Sequence, residues 1–430
     1  MYPNPSAVLP LPPRTNLEQY KTQAKDLVKG CRSGDPSAIH GWAARWIEGL
    51  VRLQGPCLAP QLRAWIESQL DQLEEFAKTR LSGPSPTGSK CALASAQFVI
   101  ARAHGFKSWP TFAKHIQALA AAATTISQFE AAASAIVTGD VATLERLLRR
   151  NPQLIRARST REHGITLLHY IGANGFEGYR QQCPKNAVEV ARVLLNAGAE
   201  VDAVPKGAMG RGTTLGMVAT SIHTERAGVQ IQLLQILLDY GASVDGAPSG
   251  WNPLLAALHN DRPNAAQFLA SRGARLDLEG AAGVGRLDVV KTFFDETGAL
   301  KASATREQLQ SGFIWACEYG KKGVAEFLVD KGVDLRAGEN TGQTALHLAA
   351  HRGQLDIIKW LLERGAPLEA MNTYGGTVLG QAVWSAANGD PEIDFVPIIQ
   401  SLIDAGANVD AYPGLGQELD ELLSPGRAKD

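Results

Sequence analysis

The chain has 430 residues and a formal net charge of −1, so it has no bulk attraction to nucleic acid or to an anionic membrane. A single hydrophobic core rarely grows to this size, and we therefore expect several domains or an array of repeats. No stretch approaches the roughly 18 apolar residues of a membrane span. The proline-rich start lacks the features of a signal peptide. These properties predict a soluble, cytoplasmic protein.

The cysteine content points to the same compartment. The five cysteines are odd in number, well separated and without a CxxC pair, namely Cys31, Cys57, Cys91, Cys183 and Cys317. This usage favours reduced thiols over a disulfide framework or a zinc site.

In chain order, residues 1–15 predict a disordered proline-rich tail, and residues 16–122 a helical N-terminal domain. Its helical patterns cover 17–30, 37–53, 60–81, 91–104 and 108–120. From residue 126 a glycine-containing ending recurs six times, with glycines at 198, 241, 273, 332, 365 and 406. The spacings are 43, 32, 59, 33 and 41 residues, and a degenerate ending at 297–300 divides the longest. Residues 413–430 are predicted to be a tail.

The clearest unit spans 340–370 and contains the motif TALH at 344–347. Similar motifs occur elsewhere: TLLH at 166–169 and NPLL at 252–255. With a period of about 33 residues and this four-residue motif, the chain resembles the ankyrin-repeat family over residues 126–412. The resemblance implies an all-α ankyrin-repeat solenoid of about eight units, with short hairpin-like loops and long inter-helix insertions, after a small helical domain. The run at 93–119 looks like a segment that precedes ankyrin repeats in some bacterial proteins.

The clear unit has a physical role for each of its marked residues. Thr344 is expected to cap the first helix, and His347 to be a neutral imidazole bonded to backbone. Gly353 and Gly365 are expected to adopt positive φ. The apolar residues of 357–362 form the buried stripe of the second helix.

Two surfaces are predicted to bind a partner. The concave face of the first helices, with the loop tips, gives the first set, which is rich in the aromatic and Arg residues that dominate interfaces: Tyr170, Met217, Trp251, His259, Trp315, Glu318, Tyr319, His351, Arg352, Tyr374 and Trp384. Insertions at 175–186, 222–230 and 387–397 lengthen three units. They are either tolerated surface loops or a ridge that displays Phe176, Tyr179, Arg180, Arg226 and Phe395.

Signals of chemistry are weak. His347 and His351 have a zinc-like spacing without an adjacent glutamate, and the glycine-rich 280–285 lacks a following Lys-Ser/Thr. Cys183 next to Lys185 could be a reactive thiol, but no histidine is near it in sequence. The arginine cluster in 146–161 is either a solvated face or a site for an acidic or phosphate-bearing partner. We expect no catalytic residue, metal, cofactor or small-molecule substrate.

The leading functional hypothesis is a non-enzymatic scaffold or adaptor whose concave face binds another protein, with nucleic acid and membrane not expected as partners. Two alternatives stay open. The first is an enzyme or regulatory module with active groups in the N-terminal helices or the insertions. The second is an N-terminal oligomerisation or docking module that the repeats orient.

Overall fold

The computed structural model describes residues 4–12, 14–53, 60–82, 90–121, 123–206, 212–248, 250–411 and 414–423. These residues form 23 α-helices and four short 3₁₀ helices, with isolated β-bridges and no β-strand among them. The all-α prediction is confirmed. The chain folds as two compact units, unit 1 (Met1–Ala265) and unit 2 (Ala266–Asp430).

Six helices form the N-terminal part of unit 1: α1 (Leu17–Arg32), α2 (Ala38–Leu53), α3 (Pro60–Glu67), α4 (Leu70–Ser82), α5 (Leu93–Ala103) and α6 (Trp109–Leu119). The single helical pattern predicted over 60–81 contains two of them. Their core is aromatic, with Phe106 and Phe112 fully buried and Trp42 and Trp46 nearly so. Ser108 caps α6 by accepting a hydrogen bond from the Thr111 N–H, as its position before Trp109-Pro110 predicts.

The first described residues differ from the disordered tail that the sequence predicts. Val8 and Leu9 are buried. The Leu9 N–H donates to the Ala103 carbonyl at 2.7 Å, and the Leu9 carbonyl accepts from Nδ1 of His104 at 3.0 Å. The apolar residues between the prolines therefore complete the core of the N-terminal helices.

The prediction of reduced thiols is wrong for two of the five cysteines. Cys31 near the end of α1 and Cys91 just before α5 form a disulfide, with their Cα atoms 5.7 Å apart. Packing of α1 against α5 brings these residues together across 60 positions of sequence. Cys183 and Cys317 are free, and Cys57 lies outside the described residues.

The rest of unit 1 consists of helix pairs. Its helices are α7 (Thr125–Thr138), α8 (Val141–Arg150), α9 (Ala187–Asn196), α10 (Thr214–Thr220), α11 (Ile222–Arg226), α12 (Gln230–Asp239) and α13 (Pro253–His259). The 3₁₀ helices are Pro5–Ala7, Pro152–Arg156, Leu167–Gly172 and Gly178–Arg180. Leu167–Gly172 takes the place of a first α-helix in the second repeat. The unit boundary falls within α14 (Pro263–Ser271).

Unit 2 continues with α15 (Leu278–Gly283), α16 (Leu287–Thr292), α17 (Arg306–Glu318), α18 (Lys322–Asp330), α19 (Ala345–His351), α20 (Leu355–Glu363), α21 (Val378–Asn388), α22 (Val396–Asp404) and α23 (Leu415–Leu423). The first helices α15, α17, α19 and α21 pack side by side in chain order. Part of the predicted C-terminal tail is thus helical: α23 packs on α21 with Leu415 buried.

The repeat chemistry of the clear unit is confirmed. Nδ1 of His347 accepts from the Thr344 N–H at 3.2 Å, and Nε2 lies 3.3 Å from the Gly376 carbonyl. Burial lowers the pKa of His347, which keeps the imidazole neutral as this pattern requires. Gly353 and Gly365 have φ values of 74° and 73°, and the five other repeat-ending glycines are also left-handed.

Candidate protein-binding site

A row of side chains crosses three successive first helices of unit 2. Arg352 follows α19, and its guanidinium lies 5.5 Å from the ring centroid of Tyr319, which follows α17. On the other side, the His351 ring lies 6.1 Å from the Trp384 ring on α21. His351 Nδ1 and the Ser385 hydroxyl are hydrogen-bonded at 2.9 Å. These contacts join α17, α19 and α21 into one continuous surface.

Trp384 is the most exposed member of this row because of its position on α21. The neighbouring residues Ala382, Val383 and Ser385 are buried, whereas Trp384 is 55% exposed. Gln381, one turn earlier on the same face, donates to the Ser385 hydroxyl and accepts from Gln343. The indole therefore stands on a helix face whose polar neighbours already have hydrogen-bond partners, so the side chain itself is available for contact.

The loop before α21 adds two more exposed side chains. Met371 is 62% exposed and Tyr374 is 80% exposed. The loop is held in place because the Thr373 N–H donates to the Thr341 carbonyl and the Asn372 side chain accepts from two backbone N–H groups within it. We call Met371, Tyr374, His351, Arg352 and Trp384 the C-terminal face.

The structure places several predicted contact residues inside the protein instead. Trp315, Glu318 and Tyr319 are at most 7% exposed, because α17 is packed between α15 and α19. Tyr170 and Met217 of unit 1 are buried as well. The free protein therefore does not expose them as their predicted role as partner contacts requires: Tyr170, Met217 and Trp315 lie one turn before the exposed positions, and the helices packed on α17 also cover Glu318 and Tyr319.

Trp251 and His259 are exposed, in agreement with their predicted positions. Both belong to unit 1, and Trp251 lies in the loop before α13 with 60% of its surface exposed. They are therefore not part of the C-terminal face.

The insertion at 175–186 is not the displayed ridge that the sequence predicts. Phe176 is buried, and Glu177 is completely buried with φ of 46°. The Glu177 carboxylate accepts from Tyr170 at 2.8 Å, from Tyr179 at 2.7 Å and from Arg180 at 2.8 Å. Its backbone N–H donates to the Pro5 carbonyl. This segment thus folds inward onto the N-terminal residues.

A second carboxylate completes the cluster. Glu130 on α7 pairs with Arg161 at 2.7 Å and with Arg180 at 2.9 Å, while Glu177 also pairs with His163 at 3.0 Å. We call Glu130, Arg161, His163, Glu177 and Arg180 the buried ionic cluster. It explains why Arg161, one of the predicted arginine cluster, is not on a solvated face.

In this cluster, ion pairing lowers the pKa of the two carboxylates by more than burial raises it. Burial by itself raises the pKa of Glu177, but the cations Arg161 and Arg180 and the hydrogen bond from His163 together hold that pKa well below its usual value. For Glu130, burial acts in the same upward direction, and Arg161 and Arg180 lower the pKa. Both carboxylates are therefore charged at neutral pH.

The other two insertions behave differently from each other. Arg226 is exposed at the end of α11, as predicted. Phe395 is buried and precedes α22, so its predicted display is wrong. The neighbouring Ile393 approaches the backbone of Gly353, and this contact holds the third insertion beside the end of α19.

The structure does not surround the Cys183 thiol with groups that would activate it, and it does not assemble a metal site from the described residues. Burial raises the pKa of Cys183 to about 11, which keeps it a thiol at neutral pH. Across the described ranges, no set of three His, Cys, Asp or Glu side chains could hold a metal ion. Nor does any helix in those ranges combine the length and apolar character needed to cross a membrane.

Several contributors to the C-terminal face were missed by sequence reasoning. Met371 directly follows a repeat ending, so extending the repeat alignment by one residue would have placed it on the loop. Gln343, Gln381 and Ser385 connect α19 to α21, and only coordinates show which of their bonds form.

A family model described as "Ankyrin repeats (3 copies)" matches residues 278–372 and 313–412. Residues 278–412 are ankyrin repeats. All five residues of the C-terminal face lie in this part of the chain, so the face is built on adjacent ankyrin units.

Curated relatives match only short stretches. The "E3 ubiquitin-protein ligase hecd-1" of Caenorhabditis elegans is 33% identical over 87 residues, which is 20% of this chain and 3% of that protein. The "Putative ankyrin repeat protein FPV219" of Fowlpox virus (strain NVSL) is 32% identical over 88 residues, 20% of each. The human ASB11 ankyrin repeat domain, a solved structure, aligns with a TM-score of 0.34 at 20% identity, covering 65% of this chain and 98% of that one.

Proposed function

We propose that the chain is a non-enzymatic scaffold or adaptor that binds a protein partner at the C-terminal face. Ankyrin repeats are in general protein-interaction modules, and the C-terminal face presents aromatic and apolar side chains to solvent. The single observation that carries the proposal is that Trp384, Tyr374 and Met371 are each more than half exposed, on α21 and on the loop that precedes it. Clustered exposed apolar groups on a folded protein mark interaction sites.

The half-buried residues of the face have a supporting role in this proposal. The contacts of His351 with Ser385 and of Arg352 with Tyr319 fix the two side chains before a partner arrives. A preordered surface loses less side-chain entropy on binding. The partner therefore meets a rigid strip that runs from α17 to α21, with Trp384 as the anchor.

The cytoplasmic location expected from the cysteine count conflicts with the Cys31–Cys91 disulfide, because disulfides persist mainly in oxidising environments. The binding proposal holds in either compartment, since it rests on side chains of unit 2.

The test compares partner capture by the full chain and by the Trp384→Ala/Tyr374→Ala variant. We expect the double variant to lose partner binding at least about tenfold, since aromatic anchors each contribute about 1–2 kcal/mol or more. Its melting temperature should be unchanged because both side chains are mostly exposed.

Tyr240→Ala is the matched control, because Tyr240 is an exposed aromatic residue of unit 1. Proteins retained by the native chain and the control but not by the double variant are the candidate partners. Equal capture by all three chains would refute the proposal.

A further inference from the structure

We infer that the segment bound at the C-terminal face carries Lys or Arg side chains. This inference rests on the proposed function and specifies the chemistry of the partner. It is based on the distribution of charge around the face, on the placement of the third insertion and on the aromatic residues that the face exposes.

The charge in this part of the chain is of one sign. Residues 365–411 contain six acidic residues and no Lys, Arg or His, although the whole chain has a net charge of only −1. All six are exposed: Glu369, Asp390, Glu392, Asp394, Asp404 and Asp410. None of them forms an ion pair within the described residues, whereas the carboxylates of the buried ionic cluster are paired. The surface is therefore electrostatically complementary to a cationic segment.

Three of these carboxylates, Asp390, Glu392 and Asp394, follow Trp384 within ten residues of sequence. The helix α21 ends at Asn388, about one turn after Trp384. The Gly389 N–H still donates to the Ser385 carbonyl, as in the last turn of a helix, and the chain then brings Ile393 against Gly353, next to Arg352. This path sets the acidic residues of 390–394 along the edge of the C-terminal face.

The exposed rings suit a cationic partner as well. A Lys or Arg side chain gains attraction from the face of a Trp or Tyr ring, most strongly from Trp. Trp384 and Tyr374 expose most of their surface, Trp384 one turn before the end of α21 and Tyr374 in the loop that precedes this helix. The cation that belongs to the face, Arg352, is stacked on Tyr319 on the side of α17, away from α21. The α21 side is thus left with aromatic rings and carboxylates.

The test is selection of a random peptide library displayed on phage against the immobilised full chain. Three variants are selected in parallel: Asp390→Asn/Glu392→Gln/Asp394→Asn, Trp384→Ala/Tyr374→Ala, and the control Glu296→Gln/Glu326→Gln/Asp330→Asn. The control removes three exposed carboxylates elsewhere in unit 2, so its change in net charge is the same.

We expect the peptides enriched on the native chain and on the control to be richer in Lys and Arg than the unselected library. A synthetic peptide of the most enriched sequence should bind the acidic-loop variant about tenfold more weakly, since three partly exposed charge pairs are lost. Its affinity for the native chain should fall as NaCl rises from about 0.05 to 0.5 M, and the acidic-loop variant should show a smaller salt effect.

Two results would overturn the inference in distinguishable ways. If the enriched peptides have no excess of Lys and Arg but are lost with Trp384→Ala/Tyr374→Ala, the partner class is wrong and the proposed function stands. If no peptide depends on Trp384 and Tyr374, both fail. A second copy of this chain is the competing occupant, and sedimentation showing a dimer that the acidic-loop variant abolishes would replace the inferred partner.

Discussion

The insertions at 175–186 in unit 1 and 387–397 in unit 2 have opposite environments. The first carries Glu177 into a fully buried site where Arg161, Arg180 and His163 surround it. The second carries Asp390, Glu392 and Asp394, all exposed, in a segment without any cation. A carboxylate can be buried only where cations and donors compensate its lost hydration. The length of an insertion therefore does not indicate whether the insertion is exposed. What decides this is whether cations lie close enough to pair with its carboxylates.

The largest expected effect comes from Glu177→Ala. This change leaves Arg161 and Arg180 buried with one carboxylate fewer, and breaking a buried pair in this way costs about 4 kcal/mol. Denaturant unfolding of the full chain, with hydrogen exchange to assign the loss to unit 1, measures it. Glu392→Ala in the unit 2 insertion is the control and should leave stability unchanged, since its side chain is exposed. Equal effects of the two changes would remove the contrast between the insertions.

Removal of the disulfide should have the next largest effect. Cys31→Ser/Cys91→Ser opens a loop spanning 60 residues, and such loops typically contribute about 3 kcal/mol by restricting the unfolded chain. Hydrogen exchange should show faster opening of α1 and α5, with unit 2 unaffected. Cys183→Ser serves as the control because that thiol is free. Unchanged protection of α1 and α5 after reduction would show that the bond does not stabilise unit 1.

Mild acid should destabilise unit 1 by a smaller amount. Burial lowers the pKa of His104 to about 3, of His115 to about 4 and of His169 to about 3, all from 6.5. As the pH falls, the unfolded state takes up these protons first, so stability decreases below about pH 6.5. Between pH 7 and pH 6 the loss should be about 2 kcal/mol for the three groups together.

The lowered pKa values of Glu130 and Glu177 add a further loss below about pH 4.5, as their carboxylates become protonated in the unfolded state first. Urea unfolding curves collected at successive pH values provide the measurement. A stability that is constant from pH 7 to pH 6 would contradict the burial of the three imidazoles.

The parts of the fold that follow from local chemistry were predictable. Thr344 as a cap, His347 as a neutral bridge and glycines with positive φ each depend on neighbours within a few residues or on the next repeat. The inward course of 175–186 was not predictable, because Glu177 depends on Arg161 and His163 and its loop on Pro5, all distant in sequence. For the same reason the pairing of Cys31 with Cys91 could not be read from spacing.

The candidate site was predictable in part. The repeat alignment correctly placed Trp384 and Tyr374 at exposed positions, since both sit at fixed offsets from a repeat ending. It failed for Trp315 and Tyr319, because periodicity assigns a residue to a helix face but does not show how closely the next helix covers that face.

The hydrogen bond between Glu177 and the Pro5 carbonyl has a consequence for biosynthesis. Pro5 is synthesised before six N-terminal helices and the first repeat, and the backbone that it contacts is made only after them. The segment around Pro5 can therefore reach its final position only after Glu177 has been synthesised.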